Sequence, residues 1–389
     1  MLTRSFDVWD FRPTDGALGR CGGERRKDQA RTRWWAARPV LLRYLGYWLG
    51  GGSFVLGTII RKGRSDLLEL DAKDSWKPSG SIEALRFRAE KLRAIREYFH
   101  HAQVMEVETP QLAWAGTVDL WIDSFAVKSQ FRKDSWWLQT SPEFHMKRLL
   151  AAGSGPIYQM AKAFRDEGAG RWHNPEFTLL EWYRPGWTLR ELCREVEDLC
   201  RAVVPTLPPA RWLSVREAFL ERAGVDPFLD SIDKIRAAAE DAMAVLPQLP
   251  SGDRDGWIDL LMVSKVEPGL GEEGPVFLWG YPPTRAALAR VESHEGIEVA
   301  MRAEMYWKGV ELTNGYDELV DPVEQAARFR DERGARLAAG KESPGISLEL
   351  VDALRAGMPP GAGVALGVDR LIALAYGTDG IGEVLSFRE

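Results

Sequence analysis

Two stretches, roughly two hundred residues apart, carry side chains suited to binding a polyphosphate. The first is Phe164-Arg165-Asp166-Glu167 with Arg171-Trp172-His173-Asn174-Pro175-Glu176-Phe177; the second is Gly363-Val364-Ala365-Leu366-Gly367-Val368-Asp369-Arg370. A guanidinium is planar and bonds two phosphate oxygens at once. Glycines allow close approach of backbone and ligand. An arginine on a sheet strand otherwise needs a carboxylate partner, because an unpaired buried charge is costly. Two such arginines, with glycine spacing and an aromatic nearby, favour a nucleotide over a pair of salt bridges. Phe177 is placed to stack on a purine, and His173 to act as a cation or donor toward phosphate.

A third stretch is Gly309-Val310-Glu311-Leu312-Thr313-Asn314-Gly315-Tyr316-Asp317-Glu318. Asn314-Gly315 reads as a turn, with Glu311 and Glu318 on either side of it. Carboxylates at an open cleft suit Mg²⁺, which takes one or two protein oxygens and completes its shell with phosphate and water. The competing reading is a solvated turn and a strand-edge charge. A fourth pair, Ser141 and Glu143, sits at a helix start, where a hydroxyl and a carboxylate ordinarily serve as cap and dipole partner.

The elements that must hold these groups begin after Pro78. Ile82, Leu85, Ala89, Leu92, Ile95 and Phe99 share one helical face, with Ser79 or Ser81 as cap. Val104–Thr109 and Trp136–Gln139 read as strands. Thr140-Ser141-Pro142-Glu143 opens a helix that ends near Gly153. Ile157–Phe164 and Phe177–Tyr183 are expected as antiparallel strands joined by the Arg/His loop. Thr188-Leu189-Arg190-Glu191 is a capping box, and Leu189, Leu192, Val196, Leu199 and Val203 face inward behind it. Residues 205–275, rich in Pro, Ala and Asp, read as a helical insertion. Strands resume at Val276–Tyr281, Val299–Lys308, Val310–Asn314 and Val364–Leu366, before a last helix, Asp369–Tyr376. Returning strands with segregated helices predict an α+β fold on an antiparallel sheet.

At 389 residues the chain can bury a sizeable core. Its net charge of −6 does not suit binding of polyanions through bulk charge. The balance is uneven. Residues 1–65 hold thirteen Lys and Arg against five Asp and Glu, a net +8, so the rest carries −14. Three cysteines make no paired framework and fit a reducing cytoplasm; Cys193 and Cys200 are expected as core packing. Residues 1–75 show no persistent period. They are expected as a poorly ordered extension, or as upstream sequence included by a mistaken start codon. The apolar run Val40–Ile60 is broken by Arg43 and five glycines. A membrane helix needs about 20 mostly apolar residues, so no membrane association is expected. Asp7, Asp10, Asp15 and Glu24 argue against a transit peptide.

The two arginine stretches resemble motifs 2 and 3 of class II aminoacyl-tRNA synthetases. Phe99 to Pro110 resembles motif 1, the dimer element, with Gln103 where a glycine is frequent. Thr140-Ser141-Pro142-Glu143-Phe144-His145-Met146-Lys147-Arg148 and Asn174-Pro175-Glu176-Phe177-Thr178-Leu179-Leu180-Glu181-Trp182-Tyr183 are similar to the lysyl branch, over residues 76–389. Two departures stand out. Residues 1–75 have neither the length nor the alternation of a five-stranded anticodon-binding barrel. Ala365 also stands where lysyl-tRNA synthetases usually have glycine. With Trp182-Tyr183-Arg184-Pro185, these departures resemble the ligases that attach (R)-β-lysine to a lysine of elongation factor P.

The resemblance implies a homodimeric, cytoplasmic, ATP- and Mg²⁺-dependent ligase that does not use tRNA. It places Arg165 on the α-phosphate, Glu167 on the adenine amino group and Phe177 on the adenine face. His173 and Asn174 lie near the phosphates, Arg370 on the γ-phosphate, and Leu312 and Gly367 against the nucleotide. Glu311 and Glu318 hold Mg²⁺. Ser141, Glu143, Tyr183 and Glu318 line the amino-acid pocket, with Ala365 at its wall. Arg165, Arg370 and Glu311 carry the catalytic burden. No residue stands out as general base, Glu143 and a substrate phosphate oxygen being the candidates. Two further readings remain open: a truncated lysyl-tRNA synthetase acting on RNA, and an inactive regulatory paralogue. The first needs a basic face, which the core's −14 opposes. The second needs a missing nucleotide contact, and none is missing.

Overall fold

The computed structural model describes residues 76–131, 135–242, 249–250 and 252–388. The expectations for residues 1–75, including the apolar run at 40–60, lie outside these. No helix among the described residues is long and apolar enough to cross a membrane.

In chain order the elements are α1 (Ile82–His101), β1 (Met105–Glu106), β2 (Leu112–Ala113), β3 (Ala126–Val127), β4 (Trp136–Leu138), α2 (Glu143–Ala151), β5 (Ile157–Phe164), β6 (Glu176–Pro185) and α3 (Leu189–Val203). They continue with β7 (Arg211–Ser214), α4 (Val215–Ala223), α5 (Ile232–Ala242), α6 (Arg254–Leu261), β8 (Val276–Tyr281), β9 (Val291–His294), β10 (Ile297–Trp307) and β11 (Val310–Asp317). The chain closes with α7 (Pro322–Ala338), α8 (Leu348–Gly357), β12 (Gly361–Gly367) and α9 (Val368–Tyr376).

Nine strands form one sheet in the order β1-β5-β6-β12-β11-β10-β8-β7, with β9 on β10. Only the two ends are parallel, β1 on β5 and β7 on β8. A small sheet, β2-β4-β3, stands apart. The architecture is the expected α+β one, a mostly antiparallel sheet flanked by helices. Among the described residues no barrel closes.

Alternation along the strands sorts side chains to two faces. Leu180 and Trp182 of β6 and Ala362, Val364 and Leu366 of β12 enter a core shared with α1, α3 and α9. The α3 face is as predicted, with Leu192, Val196, Leu199 and Val203 fully buried, together with Cys193 and Cys200. Its capping box forms, Thr188 accepting from Glu191 N while Glu191 accepts from Thr188 N. The segment 205–275 packs α4 and α6 around a second core and also supplies β7 at the sheet edge.

Two local readings change, at α1 and at Asn314-Gly315. The buried face of α1 runs through Ala84, Ile95 and Phe99, leaving Ile82 exposed. The helix is rotated because Arg88 turns inward to Asp369 at 2.6 Å, a burial that hydrophobic periodicity cannot show. Gln103, directly after the helix, has φ 54°. This left-handed conformation suits a glycine at that place in motif 1. Asn314-Gly315 is not a turn. Both lie inside β11, paired with Glu304 and Ala303 on one side and with Ala365 and Val364 on the other.

Candidate active site

The opposite face of the sheet lines a cleft of about 420 Å³. Every residue singled out from the sequence lines it, from Ser141, Glu143 and Tyr183 to Arg165, Gly367 and Arg370. Phe177, Leu179, Glu181 and Tyr183 reach it by alternation along β6, and Gly363, Ala365 and Gly367 along β12. On β11 simple alternation fails. Met305 pairs with Thr313 but Tyr306 pairs with Glu311, so β11 carries one extra residue, a bulge, at Leu312. The bulge turns Glu311 onto the face of Asn314, Tyr316 and Glu318. Without it, Glu311 would point into the core.

At one end Arg370, on the first turn of α9, is held by four groups. It donates to Trp172 O at 3.2 Å and Glu311 O at 2.8 Å, and contacts His173 Nε2 at 2.8 Å and the Glu311 carboxylate at 3.6 Å. The contact with His173 fixes that ring as a neutral acceptor at Nε2. Burial first, then Arg370 and Arg165, lower the His173 pKa to about 4. In the ligand-free cleft His173 is therefore neutral; it positions Arg370 and leaves Nδ1 as its donor.

Arg165 lies 5.1 Å from the Phe177 ring centroid. Its Nε is buried without a hydrogen-bond partner among the described residues, as is Asn174 Oδ1. Arg165 is also not in any ion pair there, so no protein carboxylate claims it. Gly367 starts α9 with φ −73°. A methyl there would meet only Arg370 Cδ at 3.5 Å, an ordinary contact. The protein's own packing does not require glycine at 367, so the free space belongs to whatever enters the cleft.

Glu311 and Glu318 do not converge. Seven residues of extended chain separate them by about 20 Å. Glu318 is instead 3% exposed and ion-paired with Lys147 at 2.5 Å, so one ion between Glu311 and Glu318 is not what this geometry offers. The neighbour of Glu311 is Glu304, on β10. Burial, then the charge of Glu304, raises the Glu311 pKa, with Arg370 opposing. Glu304 also lines the cleft, steadied by Arg302 and by the hydroxyls of Tyr281 at 2.5 Å and Tyr306 at 2.8 Å. Glu304 and Glu311 are a donor pair of the kind Mg²⁺ takes beside phosphates.

The other end is acidic. Glu143, Glu181 and Glu318 gather near Lys147, which contacts Glu143 at 2.6 Å. Tyr183 donates to Glu181 at 3.2 Å. Burial and neighbouring carboxylates push Glu181 well above its ordinary pKa, and Glu318 to about 7. Gly363 is obligatory here, since a methyl would come within 2.3 Å of the Tyr183 ring and 2.5 Å of Glu318 Oε1. Ala365 is the cross-strand partner of both Glu181 and Asn314.

Sequence reasoning missed Glu181, Lys147, Glu304 and the Arg88–Asp369 pair. Glu181 had a signal, being two strand repeats from Phe177 on the same face. Lys147 had a weaker one, one helical turn beyond Glu143. Glu304 became visible only through the bulge.

Arginines at the end of β5 and on α9 over a glycine-stepped antiparallel strand, beside a carboxylate pocket, define a class II synthetase catalytic domain. Residues 75–389 match the family model for tRNA synthetases class II (D, K and N), and the chain belongs to that family. Within it the chain is 42% identical over 317 residues to the elongation factor P–(R)-β-lysine ligase of Hamiltonella defensa, covering 80% of this chain and 97% of that one. It is 44% identical to the ligase of the same name from Pseudoalteromonas translucida, covering 80% and 97%. The one from Vibrio parahaemolyticus is 43% identical, covering 80% and 98%.

Proposed function

We propose that this enzyme activates (R)-β-lysine with ATP as an aminoacyl adenylate and transfers it to a lysine side chain of elongation factor P. The observation that carries this reading is the polarity of one cleft: two arginines at one end, three carboxylates at the other, two of them buried. Such a cleft suits an anionic nucleotide beside an amino acid with two ammonium groups.

ATP lies with its adenine against Phe177 and its amino group toward Glu167, its phosphates passing Asn174 and Arg165. Arg370 meets the γ-phosphate once its guanidinium exchanges the Trp172 and Glu311 carbonyls for phosphate oxygens. Leu312 and Gly367 border the nucleotide. Glu304 and Glu311 would hold Mg²⁺, whose charge offsets that of the phosphates. Ser141, Glu143, Glu181, Tyr183 and Glu318 receive the amino acid, with the Ala365 methyl limiting where its backbone sits. The substrate carboxylate attacks the α-phosphorus and pyrophosphate leaves. Arg165 and Arg370 cancel the repulsion between the anions; losing one such preorganised contact typically costs about 10²–10³ in rate. The acceptor ε-amine then attacks the adenylate carbonyl, forming an amide and releasing AMP, so no protein nucleophile is needed.

The same reading makes the enzyme a cytoplasmic homodimer through α1 and β1, acting on a protein rather than on tRNA, with residues 1–75 dispensable for catalysis. The −14 of the chain beyond residue 65 supports the protein acceptor. The test is mass spectrometry of elongation factor P incubated with enzyme, ATP, Mg²⁺ and (R)-β-lysine, with tRNA as competitor. One added lysyl unit on the protein is expected. Charged tRNA with unmodified protein would overturn the proposal.

A further inference from the structure

Lys147 belongs to the acidic end but does not line the cleft. It projects from α2 behind the wall and is 1% exposed. Its ammonium contacts Glu143 Oε1 at 2.6 Å and Glu318 Oε2 at 2.5 Å. Each carboxylate thus gives one named oxygen to Lys147. Oε2 is paired with Lys147 by charge alone, neither oxygen of Glu318 has a hydrogen-bond partner among the described residues, and Oε1 lies over Gly363, which lines the cleft. A buried carboxylate with unpartnered oxygens in the wall of a cleft is a site for a cation.

The charge count points the same way. Glu143, Glu181 and Glu318 with Lys147 carry two negative charges when all are ionised, matching the two ammonium groups of a diamino acid. An internal ammonium fixes that count without occupying the pocket. It also ties α2 to the residue that follows β11, so that Glu143 and Glu318, 175 residues apart in the sequence, keep a constant separation.

We propose that Lys147 is a positioning and specificity residue for the amino-acid substrate: it holds Glu143 and Glu318 from behind the wall and sets the pocket's net charge to suit two ammonium groups. This rests on the diamino-acid reading above. The charged groups that face this cluster are Glu143 from α2, Glu181 and Tyr183 from β6, Tyr316, Asp317 and Glu318 from β11 and its end, and Glu332 from α7, which bears on Glu143. In the empty pocket burial leaves Glu318 titrating near pH 7 although Lys147 opposes the shift. Removing Lys147 moves that titration to higher pH, and a protonated Glu318 cannot receive an ammonium group.

The test is (R)-β-lysine-dependent ATP–pyrophosphate exchange across pH 6–9, comparing wild type with K147M and K147R. For K147M the amino-acid KM at pH 7 should rise about 10- to 100-fold. The acidic limb of kcat/KM for the amino acid should move to higher pH, while the KM for ATP stays within about twofold. K147R keeps the charge, so its limb should stay at the wild-type pH even where its KM changes. A limb that does not move in K147M, or an equal rise in the KM for ATP, overturns the assignment. If K147M does not fold, K147R decides: a limb displaced upward refutes a role for the charge. Absence of exchange by wild type would refute the diamino-acid reading itself, an outcome separate from any behaviour of the variants.

Discussion

Arg88 of α1 and Asp369, the residue immediately before Arg370, form an ion pair at 2.6 Å in the interior. Asp369 also accepts from the backbone of Thr178, next to Phe177, and Arg88 donates to the Thr178 hydroxyl. One buried carboxylate therefore ties together α1, the strand bearing Phe177 and the helix bearing Arg370. Truncating one partner of a buried pair costs about 3–5 kcal/mol. Arg88→Met should lower the unfolding midpoint markedly and raise the KM for ATP. A variant with unchanged thermal unfolding would show the pair to be dispensable.

Arg165 has no such structural duty, since its contact is the Phe177 ring. Arg165→Ala should leave the unfolding transition within about 1 kcal/mol and reduce pyrophosphate exchange by about 10²–10³. Retained exchange would remove Arg165 from the reaction.

Ala365 sits between Glu181 and Asn314, and in the proposed complex its methyl would bear on the backbone of the amino acid. Fitting one extra methyl in a close-packed site costs about 1–3 kcal/mol. Ala365→Gly should increase use of α-lysine relative to β-lysine in competition exchange assays. An unchanged ratio would take Ala365 out of the pocket wall.

Gln103 pays for a left-handed conformation with steric strain of about 1–2 kcal/mol. Gln103→Gly should recover part of it, offset by the greater entropy of an unfolded glycine. A small rise in the unfolding midpoint is expected in calorimetry; a fall would mean the Gln103 side chain contributes more than its backbone costs.

Three carboxylates, the buried Glu318 and the half-buried Glu267 and Glu332, have pKa values raised to about 7, in each case mainly by loss of solvent. In the unfolded chain a glutamate titrates near 4.3. Between these values the folded state holds more protons than the unfolded state, so stability falls as pH rises. The ligand-free enzyme should unfold at progressively lower temperature from about pH 5 to pH 8. Glu267→Gln should flatten that slope, and a midpoint that climbs over this range would contradict the burial of these groups.

Much of the fold was readable because its signals are local. The capping box at Thr188, the α3 face and the β5–β6 pair follow from period and caps alone. The nucleotide groups were readable because arginine, glycine and aromatic residues were close in sequence. What was not readable depends on partners far along the chain. Asn314-Gly315 has the composition of a turn, yet strands on both sides hold it extended. The bulge at Leu312 has no composition signature, and it decides that Glu311 works with Glu304 rather than with Glu318. Arg88 lies outside the predicted apolar face of α1, and the partner that draws it inward lies 281 residues later.

The Arg/His loop is fastened to the end of the domain. Ile381 N donates to Arg171 O, Arg388 reaches Gly170 O, and Arg171 pairs with Asp379 at 3.0 Å. The same tail donates from Arg388 N to Ser79, and accepts at Leu385 and Ser386 from Gly80 and Ser79. Amide hydrogens of the loop and of the tail should therefore exchange with solvent as one cooperative unit. The start of α1, the tail and the loop proposed to hold the nucleotide should open together, so that damage to the tail would be felt as loss of affinity for ATP.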